Sequence, residues 1–111
     1  MPVIDKATFE ELKGLSGADF INELIDAFLE EGPNMIQSMQ IALETKDTET
    51  FRRNAHSLKS NANTFGAIEL GTLSKELEWM GRENNLEVGN RLEVLKVAFE
   101  KAAEELRGLR V

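Results

Sequence analysis

Four stretches of this chain place apolar side chains at alternating steps of three and four residues, a spacing that suits an amphipathic helix burying one stripe. From Ala18 to Thr45 the stripe reads Ile21, Leu24, Ile25, Phe28, Met35, Ile36, Met39, Ala42 and Leu43, in phase straight through Gly32-Pro33. One long, kinked helix is expected there. The proline ring crowds the carbonyl four residues back and offers no backbone donor, so a break into two helices is the alternative. Asp47 or Thr48 opens the next helix, which runs to about Phe65, where Gly66 supplies the backbone freedom of a helix end. The following one starts near Ala67, buries Leu70, Leu73, Leu77 and Met80, and ends around Asn84-Asn85. The last comes after Gly89, carries Leu92, Leu95, Phe99, Ala102 and Leu106 inward, and stops at Gly108. Ahead of all four, Asp5 caps a short helix to about Leu15, with Phe9, Leu12 and Leu15 on one side and Ser16-Gly17 as its break.

Long amphipathic segments joined by short turns predict an all-α fold, an antiparallel up-down four-helix bundle with the short N-terminal helix covering one end. The 111 residues, 41% of them apolar, suffice for one core, so a single domain over 1–111 is expected. The apolar stripes are read as core packing and carry no chemistry. Cysteine is absent, which removes disulfides, thiolate metal sites and cysteine nucleophiles. No apolar run approaches the roughly 20 residues of a membrane helix, and no signal pattern opens the chain, so no membrane is expected and a cytoplasmic location follows by default. A net charge of −7 argues against nucleic acid as a partner.

Chemistry is concentrated on the one histidine. On a wheel of about 100° per residue, Phe51, Ala55, Leu58, Ala62 and Phe65 fall together and His56 falls on the other side. Its neighbours along that face are Glu49, Arg52, Arg53, Lys59, Ser60 and Asn63, so the imidazole is expected to meet solvent in mid-helix. Arg52, Arg53 and Lys59 form a cationic collar suited to a phosphoryl group or to an acidic rim on a partner. Pairing of these cations with nearby glutamates is the plainer alternative. In the next helix Gly71, Lys75, Glu78 and Arg82 form a polar stripe read as lying opposite the buried leucines and able to flank His56. Ile68 and Trp79 border it, as docking contacts or as half-buried packing. One histidine among scattered carboxylates gives no metal-ligand spacing, and no metal site is expected.

The run Ala55-His56-Ser57-Leu58-Lys59-Ser60-Asn61-Ala62-Asn63-Thr64-Phe65-Gly66-Ala67 resembles the phosphorylation-site signature of histidine-containing phosphotransfer (HPt) domains. It combines the histidine, a lysine three positions on, a small residue at four and the glycine that ends the helix. The helical pattern from about Ala18 to Leu106 is similar to that family as well. The resemblance implies that His56 is phosphorylated, that Lys59 lies near the phosphoryl oxygens, and that Glu78 stands where the family has a Gln or Glu accepting a hydrogen bond from the other ring nitrogen. Ser60 departs from the glycine many members have there, which bears on docking and partner choice. Arg52, Arg53, Ser60, Asn63, Lys75 and Arg82 are the expected partner-binding residues.

The function so implied is that of a phosphorelay intermediate in two-component signal transduction, taking a phosphoryl group from one receiver-domain aspartate and giving it to another. The expected partners are response-regulator receiver domains, with a sensor histidine kinase as a further candidate, and the chain itself acting as a monomer. No cofactor is expected on this chain, and Mg²⁺ is expected in the partner receiver. No Walker-type glycine loop or kinase signature set occurs, so no kinase activity of its own is expected. Two alternatives stand beside this: a chemotaxis-kinase-type domain loaded directly by a kinase core, and a non-catalytic helical interaction module. Met1 and the capped ends fit a free-standing chain, with a piece cut from a hybrid kinase as the alternative.

Overall fold

The computed structural model describes residues 3–111. They form five helices, α1 (Lys6–Ser16), α2 (Ala18–Thr45), α3 (Thr48–Phe65), α4 (Ile68–Arg82) and α5 (Arg91–Leu109), with no strand among the described residues. Helices α2 to α5 make the bundle, and α1 packs across α2 and α3. None of the described helices is long and apolar enough to cross a membrane.

The helix ends follow from local chemistry. The Asp5 side chain accepts from Thr8 N (3.2 Å) and caps α1, while the Asp47 side chain accepts from Thr50 N (3.1 Å) and caps α3. Lys46 takes a left-handed conformation (φ 58°) to close α2. Gly66 (φ 84°) closes α3, and Ala67 N then donates to Ala62 O at 2.8 Å. Asp5 N donates to Gly66 O at 2.8 Å, which stitches the start of α1 to the α3–α4 turn. At the other end of the chain, the Asn22 amide clamps Val111 through two hydrogen bonds of 2.6 and 2.9 Å, and Arg110 pairs with Asp26 at 2.8 Å.

The core is built from the predicted stripes. Ile21, Ile25, Phe28, Met39, Phe51, Leu58, Leu70, Leu77, Leu95 and Leu106 are all buried, and the Phe28 ring lies 5.1 Å from Phe65 and 5.4 Å from Phe99, centroid to centroid. Helix α2 is continuous through Pro33, so the two-helix alternative does not hold. A proline in a helix interior costs about 3 kcal/mol or more, and burial along the length of α2 offsets that cost. Gly32 has its own reason to be there: a side chain at this position would overlap the Phe99 ring of α5.

Four expectations need correction. Leu15 is 82% exposed, because α1 rests on the bundle through Phe9 and turns its last apolar residue outward. Leu73 and Met80 are only half-buried, while Ser74, not anticipated, is buried with its hydroxyl donating to Leu70 O at 2.8 Å. Helix α4 ends at Arg82, before the asparagines, of which Asn84 takes positive φ. Helix α5 continues through Gly108 to Leu109, since a glycine permits a stop without imposing one.

Candidate functional site

His56 is held by its neighbours rather than by its own contacts with the core. Ala55 and Leu58 are fully buried on either side of it, which fixes the rotation of α3 and leaves the imidazole on the surface, 54% exposed. Its Nδ1 lies 2.8 Å from Glu78 Oε2. Glu78 reaches across from α4 with its side chain only 5% exposed, and its carboxylate also takes Lys59 Nζ at 2.6 Å on Oε1 and Arg82 Nη2 at 3.1 Å on Oε2.

A buried carboxylate is costly unless its oxygens are paired, and here both are. Burial pushes the Glu78 carboxyl up, but the hydrogen bonds from Lys59 and His56, with the attraction of their charges, outweigh it and hold the group below its ordinary range. The carboxylate is therefore ionised at neutral pH and can only accept. Nδ1 must carry the proton it receives, and in the neutral ring the lone pair then sits on the outward Nε2. The arrangement presents a nucleophilic nitrogen to solvent with its tautomer set from below.

Helix α4 comes close enough to deliver Glu78 because glycines line its α3 side. A side chain at Gly81 would bring its Cβ to 3.2 Å from Arg52 Cβ and from Phe51 Cδ1, and one at Gly71 would overlap the Asn63 amide. Of all the helix pairs, α3 and α4 are the most extensively packed.

The structure thus brings His56, Lys59, Glu78 and Arg82 together and leaves others apart. Lys59 is not the solvent-side residue expected: its side chain is 25% exposed and turned toward Glu78. Glu78 and Gly71 do not lie opposite the leucines of α4 but are buried at the α3–α4 seam, because the buried face of α4 takes in Leu70, Ser74, Leu77 and Gly81 together with them. Gly71 and Gly81, one on each side of Glu78 in sequence, were the available signal, since glycines within a helix mark a close neighbour. Arg52 pairs with Glu49 at 2.5 Å, and the exposed Arg53 lies 3.9 Å from the same carboxylate. Ser60, Asn63 and Lys75 are exposed beside the site, and Ile68 and Trp79 keep 51% and 61% of their surface in water. A groove of about 320 Å³ between α2 and α5, lined by Pro33, Ile36 and Phe99 among others, contains none of these residues. No cluster of His, Cys, Asp and Glu among the described residues is suited to a metal ion.

Fold and site together define a helix-bundle carrier that displays one carboxylate-oriented imidazole to other molecules. The chain belongs to the Hpt domain family, whose model matches residues 23–109, and with it to the histidine phosphotransfer proteins of two-component signalling. Among solved structures it is similar to histidine-containing phosphotransfer protein B (HptB) from Pseudomonas aeruginosa PAO1, with a TM-score of 0.87 and 24% identity over 98% of this chain and 95% of that one. At that identity the likeness speaks for the fold. A search of curated proteins finds no match.

Proposed function

We propose that this chain is a phosphorelay intermediate that accepts a phosphoryl group on His56 Nε2 from the aspartyl phosphate of one receiver domain and passes it to the aspartate of another. The Nε2 lone pair attacks phosphorus in line, the P–O bond to the aspartyl carboxylate breaks, and that carboxylate leaves with the bonding electrons. Glu78 keeps the Nδ1 proton in place throughout and stabilises the positive charge that develops on the ring. Lys59 supplies charge for the phosphoryl oxygens, and Arg82 faces the partner. The receiver supplies Mg²⁺. The chain works as a cytoplasmic monomer, and its encounters with receivers are short-lived because turnover demands release.

The observation that carries this reading is the 2.8 Å contact of His56 Nδ1 with a buried, ionised Glu78, on a ring whose other nitrogen is free. The test is incubation with a phosphorylated receiver, scoring acid-labile, base-stable label on wild type and on His56→Gln. Label on the wild type alone is expected, and equal label on both would remove His56 from the reaction. Labelling by a kinase core that lacks a receiver would replace the relay with direct loading.

A further inference from the structure

The bond to Glu78 does more than set a tautomer. Because Glu78 belongs to α4, it draws the imidazole toward that helix, so a molecule closing over Nε2 meets the exposed row of α4 as well as that of α3. That row contains Ile68, Thr72, Lys75, Trp79 and Arg82, all exposed. Trp79 directly follows Glu78 and points away from the core with 61% of its surface in water. A tryptophan left mostly in water is costly for the bundle alone, whereas aromatic anchors beside charged groups are what protein interfaces use. Lys75 and Arg82, one turn to either side on α4, lie between it and Glu78 around the helix and set positive charge on its His56 side, while the exposed Glu76 and Glu83 lie on its far side.

We propose that Trp79 is the anchor by which α4 docks the receiver, seating in an apolar contact beside the acidic rim of the receiver's phosphorylation pocket while Lys75 and Arg82 face that rim. The occupant follows from charge and continuity: the basic, aromatic row adjoins the reacting imidazole, and an aspartate-lined, Mg²⁺-binding pocket is acidic around its mouth. This rests on the relay reading above and adds to it a specificity-determining residue outside the chemistry.

Trp79 is the one tryptophan of the chain, which has no tyrosine, so its fluorescence reports on this position alone. The experiment uses a receiver domain that labels wild type in the transfer assay, with Val97→Ala on the exposed side of α5 as the control variant. On titration with that receiver, prepared without tryptophan, the emission of wild type should shift to the blue. Trp79→Ala should raise the KM for the phosphorylated receiver by roughly tenfold or more, the loss expected of an aromatic anchor. Trp79→Phe should recover part of it, and Val97→Ala should match wild type. Unchanged KM in Trp79→Ala, or a loss confined to kcat, overturns the inference and leaves the relay intact. A blue shift that depends on protein concentration without receiver assigns the face to a second copy and overturns it too. Failure of every receiver to label wild type removes the relay reading and this one with it.

Discussion

Glu78 is where the site is most exposed to a single substitution, because three groups converge on one carboxylate: His56, Lys59 and Arg82. Replacing it with alanine removes the acceptor that holds the Nδ1 proton. The ring should then shift toward the Nε2–H tautomer, which has no outward lone pair, and nitrogen-15 NMR of the imidazole reads this directly. Phosphoryl acceptance should fall by roughly 10- to 100-fold, the range seen when a group orienting a reactive histidine is lost. Glu78→Gln keeps an oxygen for Nδ1–H and should retain most of the tautomer while weakening the hold on Lys59. If Glu78→Ala keeps the wild-type tautomer, the carboxylate is a packing feature and the mechanism above loses its orienting group. The sequence made His56 legible because its neighbours in helical phase are polar. It did not reveal that Lys59 turns inward, since that direction depends on a partner in another helix.

Helix α4 lies against α3 on glycine, and its neighbours show that glycines in helices do different jobs. At Gly81 the crowding atoms include backbone and Cβ of Arg52, which cannot swing aside, so Gly81→Ala should loosen the α3–α4 seam and cost about 1 kcal/mol despite the better helix propensity of alanine. At Gly32 the obstacle is the packed Phe99 ring, and Gly32→Ala should cost about 1–3 kcal/mol. At Gly71 the obstacle is the tip of the exposed Asn63 side chain, which can rotate away, so Gly71→Ala should be close to neutral. Urea midpoints of the three variants check the order, and a Gly71→Ala loss as large as that at Gly32 would refute this account. Periodicity gave the helices of the bundle to within a residue or two at most ends, because apolar spacing and caps such as Asp47 are local signals. The continuity of α2 through Pro33 was legible in the unbroken phase of its stripe. The purpose of Gly32 was not, because it depends on Phe99 at the far end of the chain.

Taken as one object, the protein is an acidic bundle with a few cations gathered around a buried negative charge, and its stability should record that charge. Folding holds the Glu78 carboxyl below its ordinary range, as the pairing with Lys59 and His56 overcomes burial. A group depressed in this way contributes stability that is fully present above its unfolded pKa and is lost as pH falls through the folded one. Unfolding free energy should therefore decline below about pH 4.5 more steeply for wild type than for Glu78→Gln. Identical acid profiles would mean that the pairing of Glu78 does not reach the folding equilibrium. The same contact governs discharge in the proposed relay. A phosphorylated ring that keeps its second proton departs as neutral imidazole rather than as an anion, so the carboxylate that aims the acceptor also makes it a good leaving group. Loading and unloading then draw on one piece of architecture, and the direction of flow is set by how much phosphorylated receiver stands on either side.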